Sequence, residues 1–186
     1  MCGRFFIADD DAMTELIRRL ARLEGAALKT GDIRPGDAAP VYLNEGRIEP
    51  KAMTWGFKRE KGGLIINARG ESAAQKPMFR ELWQSSRLLI PAHAYYEWDS
   101  VGNKHIFDLK GGMYLAGLFM PSDRRFVVLT REAAPGLDRI HPRMPVIFGR
   151  ASALEWLKPS NDPMRVLAIG SVTDIKETSQ QLKLDI

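Results

Sequence analysis

The sequence predicts an α+β fold: a single compact domain with a largely antiparallel, barrel-like β-sheet and a few short helices. The chain has 186 residues, of which 45% are hydrophobic and 27% charged, so it is long enough to bury one substantial core. Short apolar runs separated by glycine and proline follow one another between residues 87 and 130. Predicted strands outnumber helices and do not alternate with them, which disfavours a parallel α/β sheet.

The N-terminal third predicts one amphipathic helix and one hairpin. Apolar residues recur at three- and four-residue spacing over residues 10–23, and the acidic residues 9–11 supply an N-cap and favourable first-turn charge. Proline, glycine and aspartate predict a loop over residues 34–40. Residues 41–53 read as a hairpin with its turn at 44–46.

The rest of the chain predicts short strands and two short helices. Residues 64–66 form a strand that ends at Asn67, and Pro77 begins a brief helix. Further strands are predicted over residues 88–90, 95–98, 105–109, 113–119, 126–129 and 146–148. A helix is expected over residues 152–157. The polar tail at about 174–186 is expected to be poorly ordered.

Composition disfavours several classes of protein. No apolar run approaches the ~20 residues that span a bilayer, and no signal peptide is apparent, so we expect no membrane contact. The single cysteine excludes an internal disulfide and predicts a reducing cytoplasm. The three histidines are too scattered for a zinc site, so we expect neither metal nor cofactor. A net charge of +4 is compatible with a phosphate-binding face, and a monomer is the expected state.

Cys2 is the sharpest chemical feature of the chain. A small residue after the initiator favours removal of Met1, which would leave Cys2 at the N-terminus with an amine and a thiol on adjacent carbons. Their usual pKa values are about 7.7–8.0 and about 8.5. The amine can condense with an aldehyde to an imine, and the thiolate can then close a thiazolidine ring. The alternative is a buried cysteine that happens to follow the start, and a retained Met1 would block the amine.

Three further motifs hold polar groups suited to chemistry. Asn67 and Arg69 end a predicted strand, where they would bind an intermediate and a phosphate or merely cap a turn. Glu97 lies among aromatic residues in an apolar strand, either as a buried general acid or as an edge residue facing water. His141 lies in a proline-rich segment beside two arginines, whose charge favours neutral imidazole; a surface histidine in a tight turn is the alternative.

Four motifs, in order, resemble the SOS-response-associated peptidase (SRAP) domain family. They are MCGRF at 1–5, NARGE at 67–71, the segment 91–98 ending in YYEW, and HPRMP at 141–145. The resemblance covers residues 1 to about 150 and implies an α+β domain with a barrel-like core and a positively charged DNA groove. Family members recognise abasic sites in single-stranded DNA and link to them covalently through the N-terminal cysteine.

The resemblance also implies roles for individual residues. Cys2 would be the nucleophile through both amine and thiol, and Asn67 would hold the thiazolidine or its precursor. Glu97 would move protons during sugar-ring opening and thiazolidine closure, and His141 would assist the Schiff-base chemistry. The implied DNA contacts are Arg4, Arg69 and Arg143 to phosphates, with Trp55 and Pro35 to bases. The expected function is an abasic-site crosslinking enzyme that shields the lesion during the DNA damage response.

The chain departs from the usual family pattern around the implied groove. Trp55-Gly56 is usually followed by an apolar residue, proline and a second tryptophan, whereas this chain continues with the shorter segment 57–60, FKRE. Asp32, Ala94 and Ala134 replace an asparagine, a glycine and an asparagine. These positions bear on DNA affinity more than on the crosslinking chemistry.

Three other functions compete with crosslinking. A glutamine amidotransferase would need glutamine-binding motifs that we do not find. A thiol peptidase could use Cys2, His141 and Glu97, with autoproteolysis of its own N-terminus as its reaction. A non-catalytic single-stranded DNA-binding module would keep Met1. The mature N-terminus discriminates between them, because only the chemical functions need Cys2 exposed.

Overall fold

A large curved sheet with helices at its edges and over one face dominates the computed structural model, which describes residues 2–172 and 175–178. The strands and helices, in chain order, are β1 (Arg4–Ile7), α1 (Asp11–Glu24), β2 (Gly31–Ile33), β3 (Ala38–Asn44), β4 (Ile48–Trp55), β5 (Phe57–Lys58), β6 (Leu64–Ile65), β7 (Asn67–Arg69), α2 (Gly70–Ala73), α3 (Pro77–Ser85), β8 (Arg87–Trp98), β9 (Lys104–Met120), β10 (Arg125–Glu132), β11 (Arg143–Pro145), β12 (Ile147–Phe148), α4 (Arg150–Leu157), α5 (Pro163–Gly170) and β13 (Lys176–Thr178).

Five strands of the main sheet return on themselves as an uneven ring. β9 pairs with β10, β10 with β4, β4 with β3, β3 with β8, and β8 with β9 again. The β3–β4 ladder has seven residue pairs, whereas the β10–β4 and β3–β8 seams have two each. Among the named strands, the described pairings are antiparallel except those of β10 with β4 and β7. The predicted α+β class with a largely antiparallel, barrel-like sheet is therefore confirmed, although the ring is not evenly closed.

Helix α1 agrees with the sequence prediction, whereas the loop that precedes β3 does not. Helix α1 begins after Asp10, whose side chain accepts a hydrogen bond from the backbone N–H of Met13 at 2.8 Å. It ends at Gly25, which adopts the left-handed conformation that glycine tolerates best. The predicted loop over residues 34–40 is shorter than expected, because β3 already begins at Ala38 and pairs with Thr54.

The later strands are longer than the sequence prediction. The strands expected on either side of residue 93 are one strand, β8, and those on either side of residues 111–112 are one strand, β9. An irregularity in their shared register, between Ala92 and Ala94, accommodates the break in the sequence pattern. Helix α5 and the short β2 and β11 were not predicted. In the tail expected to be poorly ordered, Lys176–Thr178 form β13 against β9; apart from these and Ile175, residues 173–186 lie outside the described residues.

The core fills both faces of the sheet. Along β10, Val128 packs in one cluster with Phe5, Trp55 and Tyr95, while Val127 and its neighbours pack in a second cluster beneath the helices. This alternation follows from the two-residue period of a strand. Cys2 is fully buried in the first cluster.

A buried arginine ties two helices to the sheet. Arg87 is 7% exposed, and its guanidinium donates hydrogen bonds to the carbonyls of Trp83 (3.1 Å), Gln84 (2.9 Å), Trp156 (2.9 Å) and Lys158 (2.8 Å). Three of these carbonyls lie in the last turns of α3 and α4, and the fourth lies just beyond α4. Carbonyls at the end of a helix lack partners within the helix, and their partial negative charge favours a cation. Arg87 thus satisfies polar groups that would otherwise be buried without partners.

Candidate functional site

Cys2 lies where the N-terminus enters the core beside β8. Strand β1 pairs with β8, so that Arg4 faces Tyr96 and Phe5 faces Tyr95. The Cys2 Sγ donates to the carbonyl of Arg4 at 3.7 Å. Burial, reinforced by the charge of nearby Glu97, raises the pKa of the Cys2 thiol far above its usual range. The thiol is therefore neutral at pH 7 in this environment.

Asn67 binds the backbone of Cys2 directly. Strand β7 runs parallel to β10, with Asn67 opposite Val128, and this register aims the amide toward the N-terminus. The Asn67 Nδ2 donates to the Cys2 carbonyl at 2.9 Å. The Asn67 Oδ1 is buried and has no hydrogen-bond partner among the residues that the structure describes. An acceptor left without a donor costs stability, so this oxygen is available to a group bound beside Cys2.

Glu97 is buried, and it shares one small cavity with His141 and Arg143. Only 3% of Glu97 is exposed, so the alternative of an edge carboxylate facing water is wrong. Burial raises the pKa of Glu97 to about 7. A carboxyl with that pKa is present in both protonation states at neutral pH and can give or take a proton.

The raised pKa of Glu97 predicts a loss of stability with increasing pH. Above pH 5 the folded protein still holds a proton on Glu97 that the unfolded chain, with a pKa near 4.5, has released, and it loses this proton as the pH rises through about 7. The free energy of unfolding should therefore fall by about 2 kcal/mol more in the wild type than in Glu97→Gln over this range. Urea denaturation of both proteins at several pH values measures the difference. Parallel pH profiles would show that Glu97 titrates normally.

His141 lies at the end of the turn that follows β10. Its Nδ1 lies 3.0 Å from both the backbone nitrogen and the carbonyl of Arg143, which fix the orientation of the ring. Burial lowers the pKa of His141, so the imidazole is neutral at pH 7. The partly buried position on the shared cavity contradicts a histidine that merely projects from a surface turn.

Arg143 is held by a carboxylate that the sequence analysis did not single out. Its guanidinium forms a two-pronged ion pair with Glu71, including a 2.9 Å contact to Oε2, and it donates to Thr130 Oγ1 at 3.2 Å. Only 13% of the Arg143 side chain is exposed. A phosphate at Arg143 would therefore have to compete with Glu71.

Arg69, at the N-cap of α2, is exposed and forms no ion pair with a described residue.

Arg4 lies on the face of the sheet opposite to Glu97. Its Nη1 pairs with Asp32 Oδ2 at 3.2 Å, and its guanidinium lies 5.2 Å from the ring centre of Trp98. The Tyr96 hydroxyl donates to the other oxygen of Asp32 at 2.9 Å. Because Tyr96 and Trp98 alternate with Glu97 along β8, they point to the other side of the strand. Arg4 is thus close to Cys2 in sequence and separated from Asn67 and His141 by the sheet.

Trp55 occupies the core rather than the surface. It is fully buried, stacked against Phe126 and tilted against Phe5, and its Nε1 donates to the carbonyl of Ile66 at 2.9 Å. The expected base contact requires an exposed ring, so it is incompatible with this position. Pro35 is partly exposed, in a turn that Asp37 closes by accepting from the backbone N–H of Arg34 at 2.8 Å.

The structure thus brings four of the nine predicted residues together. Asn67 bonds to Cys2, Glu97 acts on the Cys2 thiol, and Glu97 and His141 face one cavity. Of the other five predicted residues, Arg143 lines the same cavity and Arg69 follows Asn67 by two residues. Arg4 lies on the opposite face of the sheet, Pro35 in a turn and Trp55 in the core. Sequence reasoning missed Asp32 and Glu71 as partners of the arginines, and the only local signal was the presence of Glu71 in the NARGE motif.

No other class of site is evident in the described part of the chain. Within residues 2–172 and 175–178, no group of three His, Cys, Asp or Glu side chains lies close enough to hold a metal ion. No helix in the same ranges is long and apolar enough to cross a membrane.

Comparison with known proteins identifies similar sequences along the chain. The family model of the SOS response associated peptidase (SRAP) matches residues 1–182. The abasic site processing protein YedK of Escherichia coli (strain K12) is 33% identical over an alignment that covers 85% of this chain and 80% of YedK. The abasic site processing protein YoqW of Bacillus subtilis (strain 168) is 30% identical over an alignment that covers 88% of this chain and 83% of YoqW.

Solved structures share the fold. A protein from Bacteroides thetaiotaomicron superposes with a TM-score of 0.75 at 16% identity, covering 95% of this chain and 90% of that protein. A phage-related protein from Bordetella bronchiseptica gives a TM-score of 0.72 at 20% identity, covering 96% and 95%. At these identities the likeness concerns the fold alone.

Proposed function

Because this chain belongs to the SOS response associated peptidase (SRAP) family, we propose that it processes abasic sites in single-stranded DNA by forming a covalent thiazolidine with them through Cys2. The relatives named as abasic site processing proteins support this substrate. The observation that carries the proposal is the contact of Asn67 with the Cys2 backbone beside a buried Glu97 with a pKa of about 7. We expect a monomer that acts in the cytoplasm and needs no metal or cofactor.

The proposed reaction uses both groups of an N-terminal cysteine. Removal of Met1 frees the Cys2 amine, which adds to the aldehyde carbon of the ring-opened deoxyribose and loses water to give an imine. The thiol then adds across the C=N bond; a C–S bond forms, and the thiol proton ends on nitrogen. Water is the only leaving group, and no oxidant or reductant takes part. Binding of the lesion beside Cys2 supplies the effective concentration that both additions need.

The neighbouring side chains match the proton transfers of this reaction. Glu97 can protonate the sugar oxygen during ring opening and the departing hydroxyl during imine formation, because it is half protonated near pH 7. Neutral His141 faces the same cavity and can exchange protons there. The Asn67 Oδ1 can accept from the nitrogen of the thiazolidine or its precursor. Arg69 would bind the phosphate backbone of the DNA, and Arg143 would do so if a phosphate displaces Glu71.

A denaturing gel tests the proposed function. Protein whose measured mass confirms Cys2 as the N-terminal residue is mixed with single-stranded DNA that contains one abasic site. The sample is then boiled in detergent. We expect a slower band with abasic DNA and none with the intact oligonucleotide. No band from protein with a confirmed N-terminal Cys2 would reject crosslinking.

Autoproteolytic removal of Met1 is the second candidate function, and the position of Cys2 beside Glu97 favours it. Translation in a system without methionine aminopeptidase distinguishes autoproteolysis from removal of Met1 by that enzyme. Loss of Met1 from the wild type but not from Glu97→Gln, measured by mass spectrometry, would support autoproteolysis. Retention of Met1 in both would leave the processing to an external enzyme.

Replacement of Asp32 should strengthen DNA binding if Arg4 contacts a phosphate. In Asp32→Asn the charge that compensates Arg4 is lost, while an oxygen remains for the Tyr96 hydroxyl. We expect affinity for single-stranded DNA to rise about fivefold at low salt, which corresponds to about 1 kcal/mol for one exposed ion pair. Fluorescence anisotropy measures it. Tyr96→Phe is the matched control, because it removes the hydrogen bond and keeps both charges. Equal affinities of Asp32→Asn and the wild type would exclude Arg4 from the interface.

A further inference from the structure

Hairpin β5–β6 presents a basic tip directly before Asn67. Phe57 pairs with Ile65 and Lys58 with Leu64 in a two-stranded sheet that is separate from the main one. The turn is closed by two backbone hydrogen bonds of 3.1 Å, from Arg59 N–H to the Gly63 carbonyl and from Gly62 N–H to the Arg59 carbonyl. The tip is therefore a defined turn.

The base of the hairpin is anchored in the protein. Phe57 is 3% exposed and packs against Phe79 of α3 at a ring-centre distance of 6.2 Å. Gly56 has a φ of 104°, and a Cβ there would lie 3.0 Å from Leu64, so this close approach requires glycine. The Gly56 carbonyl accepts a hydrogen bond from Arg125 at 2.7 Å, and its N–H donates to the Phe126 carbonyl at 2.7 Å. These contacts hold the tip in place relative to β10.

The charges of the tip are available to an external partner. All residues from 58 to 63 are exposed, and they include Lys58, Arg59 and Lys61 against the single acid Glu60. None of the three cations forms an ion pair with a carboxylate in the described parts of the chain. Arg4 and Arg143, by contrast, are already paired with carboxylates. Most of the uncompensated positive charge along the segment 57–69 therefore lies on the hairpin.

We propose that hairpin β5–β6 binds the phosphate backbone of the DNA strand a few nucleotides away from the lesion. This proposal rests on the proposed function. Asn67 follows Ile65 by two residues, so at about 3.3 Å per residue the tip lies within roughly 20 Å of the Asn67 amide. Arg69 lies on the other side of Asn67 along the chain. A strand whose abasic site reaches Cys2 can thus meet cations on both sides.

The chemistry of the tip selects phosphate over bases. Residues 58–63 contain no aromatic ring on which a base could stack. Lysine ammonium groups act as point charges, and the arginine can fork onto a phosphate. Binding through such groups is independent of base sequence and weakens with salt, because it releases counterions from the DNA.

Salt dependence of binding tests the hairpin. The triple variant K58Q/R59Q/K61Q and the wild type are titrated with single-stranded DNA that contains a tetrahydrofuran abasic analogue, which has no aldehyde and cannot be crosslinked. The slope of log K against log salt should become shallower by about 2, at about 0.7 for each lost phosphate contact on a single strand. The single variant Glu60→Gln should bind more tightly than the wild type, because it removes the only negative charge of the tip.

A matched control removes three cations elsewhere. The variant R18Q/R19Q/R22Q changes three exposed arginines of α1 and alters the net charge by the same amount. We expect its salt slope to equal that of the wild type. An unchanged slope in the hairpin variant, or an equal reduction in both triple variants, would overturn the proposal.

The covalent reaction separates this inference from the proposed function. At low salt and saturating abasic DNA, the hairpin variant should reach the wild-type yield of crosslink, because Cys2, Asn67 and Glu97 are unchanged. If the wild type itself forms no crosslink, the proposed chemistry fails. The difference in salt slope between the wild type and the hairpin variant still shows whether the hairpin binds DNA. If the wild type crosslinks and the salt slopes agree, only the hairpin proposal fails.

Discussion

The Cys2→Ala variant should form no detergent-stable adduct with abasic DNA, while its non-covalent affinity for single-stranded DNA stays within about twofold of the wild type. Alanine keeps the N-terminal amine but has no thiol, so an imine can form and hydrolyse but cannot close to a thiazolidine. The side chain of Cys2 is fully buried and contributes no charge, which is why binding of the DNA backbone should survive.

Treatment of Cys2→Ala and Cys2→Ser with borohydride distinguishes the roles of amine and thiol. Both variants should give a stable band only when borohydride reduces the imine, because each keeps the amine and neither has the thiol. Gel analysis with and without the reductant measures this. A stable adduct of Cys2→Ala without reductant would contradict the thiazolidine, and the absence of an adduct even with reductant would exclude the amine as nucleophile. Confirmation of the N-terminal residue by mass spectrometry is required for each variant.

The Arg87→Ala variant should lose about 4 kcal/mol of unfolding free energy. Four backbone carbonyls would lose their shared donor, and hydrogen bonds to a charged group contribute about 1.5–3 kcal/mol each before the site relaxes. The packing of the guanidinium 5.5 Å from the Trp156 ring centre would also be lost. Urea denaturation measures the change as a shift of the midpoint at constant slope.

Two variants control the Arg87 experiment. Arg87→Lys keeps the charge but offers a compact ammonium in place of a planar fork, so it should recover only part of the lost stability. Arg18→Ala removes an arginine from the exposed face of α1 and should change stability by no more than about 0.5 kcal/mol. A loss below about 1 kcal/mol in Arg87→Ala would mean that water replaces the guanidinium at these carbonyls.

Local patterns were sufficient for the elements whose signals lie within a few residues. The helix over residues 10–23 was predicted from its apolar spacing and acidic cap, and the structure places it at Asp11–Glu24. The hairpin around residues 44–46 was predicted from apolar runs on either side of a turn. The division of β8 and β9 was wrong, because a register irregularity lets a strand continue through residues that usually interrupt it.

The candidate site was predictable as a set of residue types but not as an arrangement. The motifs containing Cys2, Asn67, Glu97 and His141 are visible in the sequence, and the chemistry of an N-terminal cysteine follows from its functional groups alone. The strand pattern around Glu97 fits a buried side chain and an exposed one equally well. Only the burial of its side chain in the folded protein raises the pKa of Glu97 to about 7.

The sequence by itself determined the fold class, the helix α1 and the groups available for reaction, because periodicity, capping and side-chain chemistry are local properties. The tertiary structure alone decided which charges are free. Arg4 meets Asp32 across 28 residues and Arg143 meets Glu71 across 72, while Trp55 enters the core between Phe5 and Phe126. These contacts depend on which strands pair and in which register. That choice minimises the free energy of the whole sheet, so no local segment encodes it.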